Sequence, residues 1–345
     1  MIDVLVVGGG PVGLASALFL DRAGLSVTVL EQRAGPIDKA CGEGLLPPAV
    51  RTLAGLDVRP AGWALGGIRY LDGGHRVDAR FRTGPGLGVR RTELQSALGR
   101  AVRARGIPIE QVRAGALEQD AASVRVAGLT ARYLVAADGL HSGIRRRLGL
   151  QRASRRRPRW GQRRHVGVAP WTDLVEVHWS TQAEAYVTPT GPEQVGVAIL
   201  SASRVPFSQA LQSFPALAQR LGGLPHGPVL GAGPLRQRVG RRVAGRVLLA
   251  GDAAGYVDAL TGEGLSIGLV TAARLAGCLA ADRPADYERA WRQATRRYRL
   301  LTEGLVALAG NRVSRPLIVP AAARLPGAFA AIVNQLAGEP GPPRG

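Results

Sequence analysis

A glycine-rich segment near the N-terminus has the residue types and spacing of a phosphate-binding turn. The string GGGPVG at residues 8–13 follows a buried apolar run at residues 2–7 and opens a helical pattern. Gly8 would permit a sharp turn, Gly10 would let the backbone approach a pyrophosphate, and Gly13 would let the helix pack closely on the strand. The free N–H groups that start this helix would face the phosphates. These residues predict a dinucleotide-binding βαβ unit.

An acidic residue ends the second strand of this unit. Glu31 follows the apolar run at residues 26–30. A carboxylate at this position accepts hydrogen bonds from the ribose hydroxyls of an adenosine and disfavours a 2′-phosphate. The unit by itself could bind NAD or FAD, and other motifs have to decide between them.

Three later segments also combine a glycine turn with a buried strand or a helix start. Ala137-Asp138-Gly139 and Gly251-Asp252 each end a strand pattern, and LTGEGL at residues 260–265 opens a helix. Asp252 can accept a hydrogen bond from a ribityl hydroxyl. The N-terminus of the helix after LTGEG can stabilise negative charge, such as that on a reduced flavin.

Together, the strings GGGPVG…LEQR, ADGLHSGIR, VLLAGDAAG and LTGEG resemble the superfamily of FAD-dependent monooxygenases and geranylgeranyl reductases, which has the para-hydroxybenzoate hydroxylase fold. The resemblance covers roughly residues 1–285 and implies an FAD cofactor. It places Asp138 and Gly139 in a segment linked to both FAD and NAD(P)H, and Asp252 at the ribityl or pyrophosphate region. It places Arg91 near the flavin chain, although a surface arginine at a helix start is an equally open interpretation.

The loop KACGEGLLP at residues 39–47 is most similar to the reductases of this superfamily, in which it runs beside the isoalloxazine ring. Cys41 is therefore the candidate catalytic residue, in contact with flavin or substrate; tight packing of a small residue is the alternative. The chain departs from the superfamily at Ala259, where proline is usual, and at Thr188, where tryptophan is frequent. The WxWxIP signature of the halogenases is absent.

We expect twenty residues to form the FAD site, and with only Cys41 and Cys278 as cysteines we expect no metal site. The expected FAD residues are Gly8, Gly10, Pro11, Val12, Gly13, Glu31, Gln32, Arg33, Cys41, Gly42, Arg91, Val112, Asp138, Gly139, Gly251, Asp252, Gly262, Glu263, Gly264 and Leu265.

The strands and helices that must position these residues follow two patterns along the chain, a strand–helix alternation and a set of antiparallel strands. The expected fold class is α/β, with a Rossmann-type FAD-binding domain interleaved with an antiparallel-sheet substrate domain and a helical C-terminus. The FAD-binding domain would comprise residues 1–65, 86–150 and 236–285. The substrate domain would comprise residues 66–85 and 151–235. Helices would follow over residues 286–337, with residues 285–310 and 321–337 helical, and residues 338–345 would be a disordered tail.

The 345-residue chain carries a net charge of +20, almost all from arginine, and ten arginines without an acid lie between Arg145 and Arg164. This run is either a solvated loop or a surface that captures an anion such as NADPH, an acyl carrier or an acidic membrane face. Nucleic acid is not expected as a partner.

The start of the sequence and its apolar runs predict the localisation. Because an apolar strand follows Met1 directly, and since no apolar run spans a bilayer, we expect a cytoplasmic protein with no signal peptide and no transmembrane segment, although peripheral membrane contact stays open.

The leading functional hypothesis is an NAD(P)H-dependent flavin monooxygenase that transfers one oxygen atom to an aromatic, polyketide-like or olefinic substrate. The first alternative is a geranylgeranyl reductase-like ene-reductase of a prenyl or polyketide chain, which the loop at residues 39–47 favours. The second is a redox-silent flavin-containing cyclase or scaffold. The expected partner is a hydrophobic small molecule, either free or bound to a carrier, with NADPH or NADH as reductant.

Overall fold

A computed structural model describes residues 1–154 and 156–338. Arg155 and the predicted tail from residue 339 onward lie outside the described residues.

The chain alternates short strands with helices up to residue 249 and is helical from residue 264 onward. The strands are β1 (Ile2–Val7), β2 (Val27–Leu30), β3 (Gly44–Leu45), β4 (Trp63–Leu65), β5 (Gly67–Leu71), β6 (Arg76–Arg80), β7 (Gly86–Gly88), β8 (Ile109–Glu110), β9 (Leu117–Gln119), β10 (Val124–Val126), β11 (Leu129–Ala136), β12 (Gln151–Arg152), β13 (Trp160–Gly167), β14 (Leu174–Trp179), β15 (Ala183–Gly191), β16 (Gln194–Ser201), β17 (Leu230–Ala232), β18 (Arg238–Val239), β19 (Val243–Ala244) and β20 (Val247–Leu249). The helices are α1 (Pro11–Arg22), α2 (Pro47–Gly55), α3 (Arg91–Ala104), α4 (Gly143–Arg147), α5 (Phe207–Leu211), α6 (Pro215–Leu221), α7 (Gly264–Ala280), α8 (Asp286–Gly310), α9 (Ile318–Arg324) and α10 (Pro326–Leu336).

The first sheet has a parallel centre, in the order β20-β11-β1-β2-β8. Strand β1 lies in the middle, and Val4, Leu5 and Val6 are fully buried. Parallel strands end at the same edge of a sheet. The turns after β1, β2, β11 and β20 therefore meet there, and these turns carry the predicted cofactor motifs.

The second sheet has seven strands in the order β17-β13-β16-β15-β14-β5-β6. All its pairs are antiparallel except β14 with β5. Strands β5 and β6 lie between α2 and α3 in the sequence. The chain therefore passes from the first sheet to the second sheet and back more than once. The predicted α/β fold class, with an interleaved antiparallel sheet and a helical C-terminus, is confirmed.

The expected helical C-terminus is confirmed. Residues 321–337 are helical except at one break, where α9 and α10 meet as separate helices at 105° to each other. Leu325 lies at the break with φ −125° and ψ 60°, because the ring of Pro326 disfavours helical geometry in the preceding residue. No single helix in the described chain is long and apolar enough to cross a membrane, and only this bent pair reaches that length and composition together.

The ten arginines between residues 145 and 164 do not form one surface. Arg145 and Arg163 are almost completely buried, and Arg159 pairs with Glu184. Both expectations for the run, a solvated loop and an anion-capturing surface, therefore fail for these three residues. Anion capture stays a prediction for the exposed members such as Arg157.

Candidate functional site

One cavity of about 1020 Å³ lies at the carboxyl edge of the first sheet and extends over the second sheet to the C-terminal helices. Its volume exceeds that of a typical site for one drug-sized ligand, so it has room for a dinucleotide and a substrate. Eighteen of the twenty predicted FAD residues line it. These are Gly8, Gly10, Pro11, Val12, Glu31, Gln32, Arg33, Cys41, Gly42, Arg91, Val112, Asp138, Gly139, Gly251, Asp252, Gly262, Gly264 and Leu265. Gly13 and Glu263 do not line it.

The turn between β1 and α1 requires glycine at two positions for different reasons. Gly8 has φ +113°, a conformation that residues with a Cβ rarely adopt. Gly13 has ordinary helical geometry, but a Cβ there would lie 1.9 Å from the carbonyl oxygen of Gly8. Gly13 thus acts by letting α1 pack against the turn. The helix has no side-chain cap, and Gly10, Pro11 and Val12 at its start line the cavity. Free N–H groups there suit a pyrophosphate.

Glu31 is buried at the end of β2 and organises this turn. Its Oε2 accepts a hydrogen bond from the Gly9 amide at 2.8 Å, and its Oε1 accepts from the Arg33 amide at 3.0 Å. Burial alone would raise the pKa of Glu31, but the hydrogen bonds from Arg33 and Gly9 outweigh it and the pKa is lowered. The carboxylate is therefore ionised, with acceptor capacity left for ribose hydroxyls.

We expect Glu31→Ala to weaken FAD binding by on the order of 1–3 kcal/mol, because both the ribose acceptor and the support of Gly9 are lost. Glu31→Gln should retain more affinity, since the amide oxygen can still accept from Gly9. Fluorescence titration of the apoprotein with FAD measures both variants. Equal FAD affinity in wild type and Glu31→Ala would remove Glu31 from the site.

A group of charged side chains surrounds the Gly251-Asp252 turn on the cavity side. Burial raises the pKa of Asp252, and the positive charges of Arg91 and Lys39 partly offset the effect. Burial is also the main reason why the pKa of Lys39 is lowered. Within the described residues, Asp138 Oδ1 and Arg91 Nε are buried and have no hydrogen-bond partner. Unpaired buried groups are costly, and the hydroxyls and phosphates of FAD are partners of the chemistry they need.

The buried Arg145 joins two of the predicted cofactor turns. Its guanidinium donates to the carbonyl oxygens of Asp252 and Ala253, both at 3.1 Å, and to that of Leu140 at 2.7 Å. It also donates to Gln237 Oε1 at 2.8 Å. Arg145 thus fixes the spacing between the Asp138 and Asp252 turns. Arg145 belongs to the ADGLHSGIR string, but its hydrogen bonds to the Asp252 turn are evident only in the structure.

Sequence reasoning missed a buried network that holds the loop at residues 38–43 against the second sheet. Glu43 accepts from His165 Nε2 at 2.7 Å and from the Arg91 amide at 2.9 Å. Arg163 hydrogen-bonds to Asp38, to the Lys39 carbonyl oxygen at 3.2 Å, and to His165 Nδ1 at 3.0 Å. The side chains of Glu43 and Arg163 are at most 2% exposed. The network orients the loop that carries Cys41 and Gly42 into the cavity.

Cys41 lines the cavity next to this network. Its Sγ lies 3.4 Å from the Glu43 amide nitrogen, which donates to it. Burial raises the pKa of the Cys41 thiol, against a smaller lowering by the charge of Arg91. A neutral thiol is not poised as a nucleophile, so this position favours packing or contact with a bound group. Its catalytic role stays a prediction.

Glu263 occupies the N-cap position of α7 without a side-chain capping hydrogen bond, and it does not line the large cavity. Its Oε2 has no hydrogen-bond partner in the described part of the chain. Burial raises the pKa of Glu263 to about 8, against a smaller lowering by a hydrogen bond from Thr261. The carboxyl group is therefore mostly neutral in the folded protein at neutral pH.

This raised pKa predicts that stability falls as the pH rises from 4.5 to about 8. The unfolded chain releases the Glu263 proton near pH 4.5, whereas the folded chain keeps it up to a pH of about 8. Stability from this group is thus complete below the unfolded value and is lost as the pH rises between the two. Glu263→Gln cannot ionise and should gain stability over wild type as the pH rises from 5 to about 8. Melting temperatures of both proteins across this range measure the effect; parallel curves would contradict it.

The half of the cavity away from the cofactor residues is strongly apolar. The second sheet contributes Val175, Val177, Ala198 and Leu200, and the C-terminal helices contribute Leu305, Leu308, Ile318, Leu325, Phe329, Ile332, Val333 and Leu336. The hydroxyl of Tyr186 is already used, since it donates to the Leu260 carbonyl oxygen at 2.8 Å. This half can accept a long hydrocarbon group but offers few partners to a polar one.

A parallel sheet with the GGGPVG turn, an acid after β2 and two uncapped helix starts at one cavity defines a Rossmann-type flavoprotein. Residues 1–216 match the model of the FAD binding domain family. The chain belongs to this family, and it is an FAD-dependent oxidoreductase.

Proteins of related sequence span most of the chain. Menaquinone reductase of Mycobacterium tuberculosis (strain ATCC 25618 / H37Rv) is 32% identical over 333 residues, which cover 84% of this chain and 78% of that protein. Digeranylgeranylglycerophospholipid reductase 1 of Methanopyrus kandleri is 29% identical over 307 residues, covering 81% and 80%. A solved flavoprotein/dehydrogenase from Cytophaga hutchinsonii superimposes with a TM-score of 0.81 at 16% identity, covering 98% of this chain and 93% of that one. These relatives confirm the expected superfamily, and the match to the FAD binding domain family confirms the FAD cofactor.

Proposed function

We propose that this protein is an NAD(P)H-dependent reductase of a carbon–carbon double bond in a prenyl-type lipid chain. The observation that carries the proposal is the apolar half of the cavity, which continues from the residues that would hold FAD to the C-terminal helices. The two related reductases support it, because both of their names denote lipids with polyprenyl chains. The geometry thus favours the reductase over the monooxygenase that leads on sequence alone.

The reaction would consume NAD(P)H and one proton and convert the alkene into the saturated chain. FAD, when bound, supplies the hydride-transfer chemistry. The protein binds the cofactor phosphates at the start of α1 and aligns the hydrocarbon along Val177, Ala198 and Leu200. It also excludes water, because these walls are apolar. Solvent would provide the proton.

Incubation of the FAD-loaded protein with NADPH or NADH and geranylgeraniol, followed by mass spectrometry, tests the reaction. The expected product has gained two hydrogens without oxygen. A product that has gained one oxygen atom in air would establish monooxygenation instead. Conversion without any change in flavin redox state would indicate a redox-silent cyclase.

The variant Ala198→Trp separates substrate binding from cofactor binding. Ala198 lines the apolar half, so an indole there should block the chain and abolish conversion, whereas FAD content and flavin reduction by NAD(P)H should persist. Ala153→Trp, at an exposed position, is the matched control. Equal conversion by both variants would contradict this binding mode.

A further inference from the structure

The exposed hydrophobic side chains of this protein are concentrated in one part of the chain. Seven large hydrophobic side chains are exposed among the described residues, and six of them fall between residues 300 and 332. They are Leu300, Leu308, Val313, Leu317, Leu325 and Ile332. Val313 is 77% exposed and Leu317 58% exposed. Scattered single residues of this kind are ordinary, but six of them within 33 residues make this segment a candidate interaction site.

The opposite side of this segment is firmly attached to the second sheet. Arg315 pairs with the buried Glu184 at 2.6 Å and donates to the Ser180 carbonyl oxygen at 2.6 Å. Asn334 donates to the Arg80 carbonyl oxygen at 2.9 Å, and Phe329 packs on Tyr70 at a ring distance of 4.8 Å. These contacts fix the segment on the second sheet and leave its exposed leucines on the solvent side.

The exposed patch coincides with the mouth of the cavity. Leu308, Leu325 and Ile332 are each about half exposed or more, and the same three side chains line the cavity. A residue that meets both solvent and cavity lies at its opening. Whatever covers the patch therefore also controls entry to the apolar half.

The charge along most of the patch has a single sign, and Glu303, the one acid between Leu300 and Leu336, is paired with Arg156 and Arg236. From residue 304 to residue 338 the sequence contains no Asp or Glu and three arginines. Arg312 and Arg324 are exposed, and neither has an acidic partner in the part of the chain that the structure describes. A second copy related by two-fold symmetry would bring like charges together across the interface. A bilayer with anionic lipids instead matches both the apolar residues and the arginines.

We propose that the segment from Leu300 to Leu336 is a membrane-docking surface that seats the cavity mouth on an anionic lipid bilayer. The bent pair α9 and α10 would lie in the interface and not cross it, because its two helices meet at 105°. A hydrocarbon ligand could then pass from the bilayer into the cavity without crossing water. The docking does not depend on which reaction the protein catalyses.

Co-sedimentation of the FAD-loaded protein with vesicles tests this surface. The vesicles contain phosphatidylcholine alone or mixed with phosphatidylglycerol. The wild-type protein should bind the mixed vesicles more tightly than the vesicles of phosphatidylcholine alone. The variant Val313→Glu/Leu317→Glu should lose affinity by at least about tenfold, because two carboxylates would have to enter the interface. Neither residue lines the cavity, so FAD content and melting temperature should not change.

The control Ala121→Glu/Ala122→Glu adds the same two charges at exposed positions in the turn between β9 and β10. It should bind vesicles like wild type. Three outcomes would overturn the proposal: no binding of wild type to mixed vesicles, an equal loss in control and patch variants, or a wild-type dimer in light scattering that the patch variant converts to monomers. The vesicle assay needs no turnover, so failure of the proposed reaction would leave its result intact.

Discussion

Gly13→Ala will yield a protein that is purified without FAD. The added methyl group would lie 1.9 Å from the Gly8 carbonyl oxygen, which is backbone and cannot rotate away. Helix α1 must then move off the β1 turn, and the N–H groups at its start lose their position at the cavity. Overpacking of this kind costs about 1–3 kcal/mol in stability, and each 1.4 kcal/mol of lost binding energy lowers cofactor affinity roughly tenfold.

Absorbance of the purified protein measures its FAD content, and thermal unfolding measures its stability. Gly99→Ala is the matched control, because it makes the same change within helix α3. A Cβ at Gly99 meets only the flexible end of Arg103, at 3.6 Å. That variant should keep FAD and gain about 0.5–1 kcal/mol from reduced backbone entropy in the unfolded chain. Full FAD content in Gly13→Ala would refute the close packing of α1.

The cofactor turns were accessible from sequence because their signals are local. A buried strand, a glycine turn, a helix start and the acid after β2 all lie within residues 2–31. The carboxyl edge of a parallel sheet then brings such turns together, whatever their separation along the chain. Gly8 and Glu31 could therefore be assigned to one site before any coordinates.

The network around Glu43 could not be predicted in this way. Glu43 lies in the loop before β3, whereas His165 lies in β13, 122 residues away. Glu43 also has φ +59°, which no sequence rule assigns to a glutamate. By contrast, the helix break at Leu325 has a local signal in the sequence, because Pro326 disfavours helical geometry in the residue before it. The sequence of the basic run from Arg145 to Arg164 also does not indicate which side chains are buried, although Arg157 is exposed and Arg163 is buried.

Arg163→Met will destabilise the folded protein by about 3–5 kcal/mol, the usual cost of removing one partner of a buried ion pair. The Glu43 side chain is fully buried, and without Arg163 it keeps only His165 and the Arg91 amide as partners. Asp38 and the Lys39 carbonyl oxygen also lose a donor. The loop at residues 38–43 should then loosen, so FAD content should fall together with the melting temperature.

Arg157→Met tests whether this effect belongs to the position or to arginine in general. Arg157 lies in the same basic run but is exposed, so its replacement should change stability by no more than about 0.5 kcal/mol. Adding Glu43→Gln to Arg163→Met should restore part of the loss, because the uncompensated carboxylate disappears; a double-mutant cycle gives the coupling energy. Equal melting temperatures for Arg163→Met and Arg157→Met would show that the buried network contributes nothing to stability.

A coupling energy near zero in the cycle would instead assign the cost to lost packing around the Arg163 side chain. Methionine lacks the guanidinium that contacts Asp38 and His165.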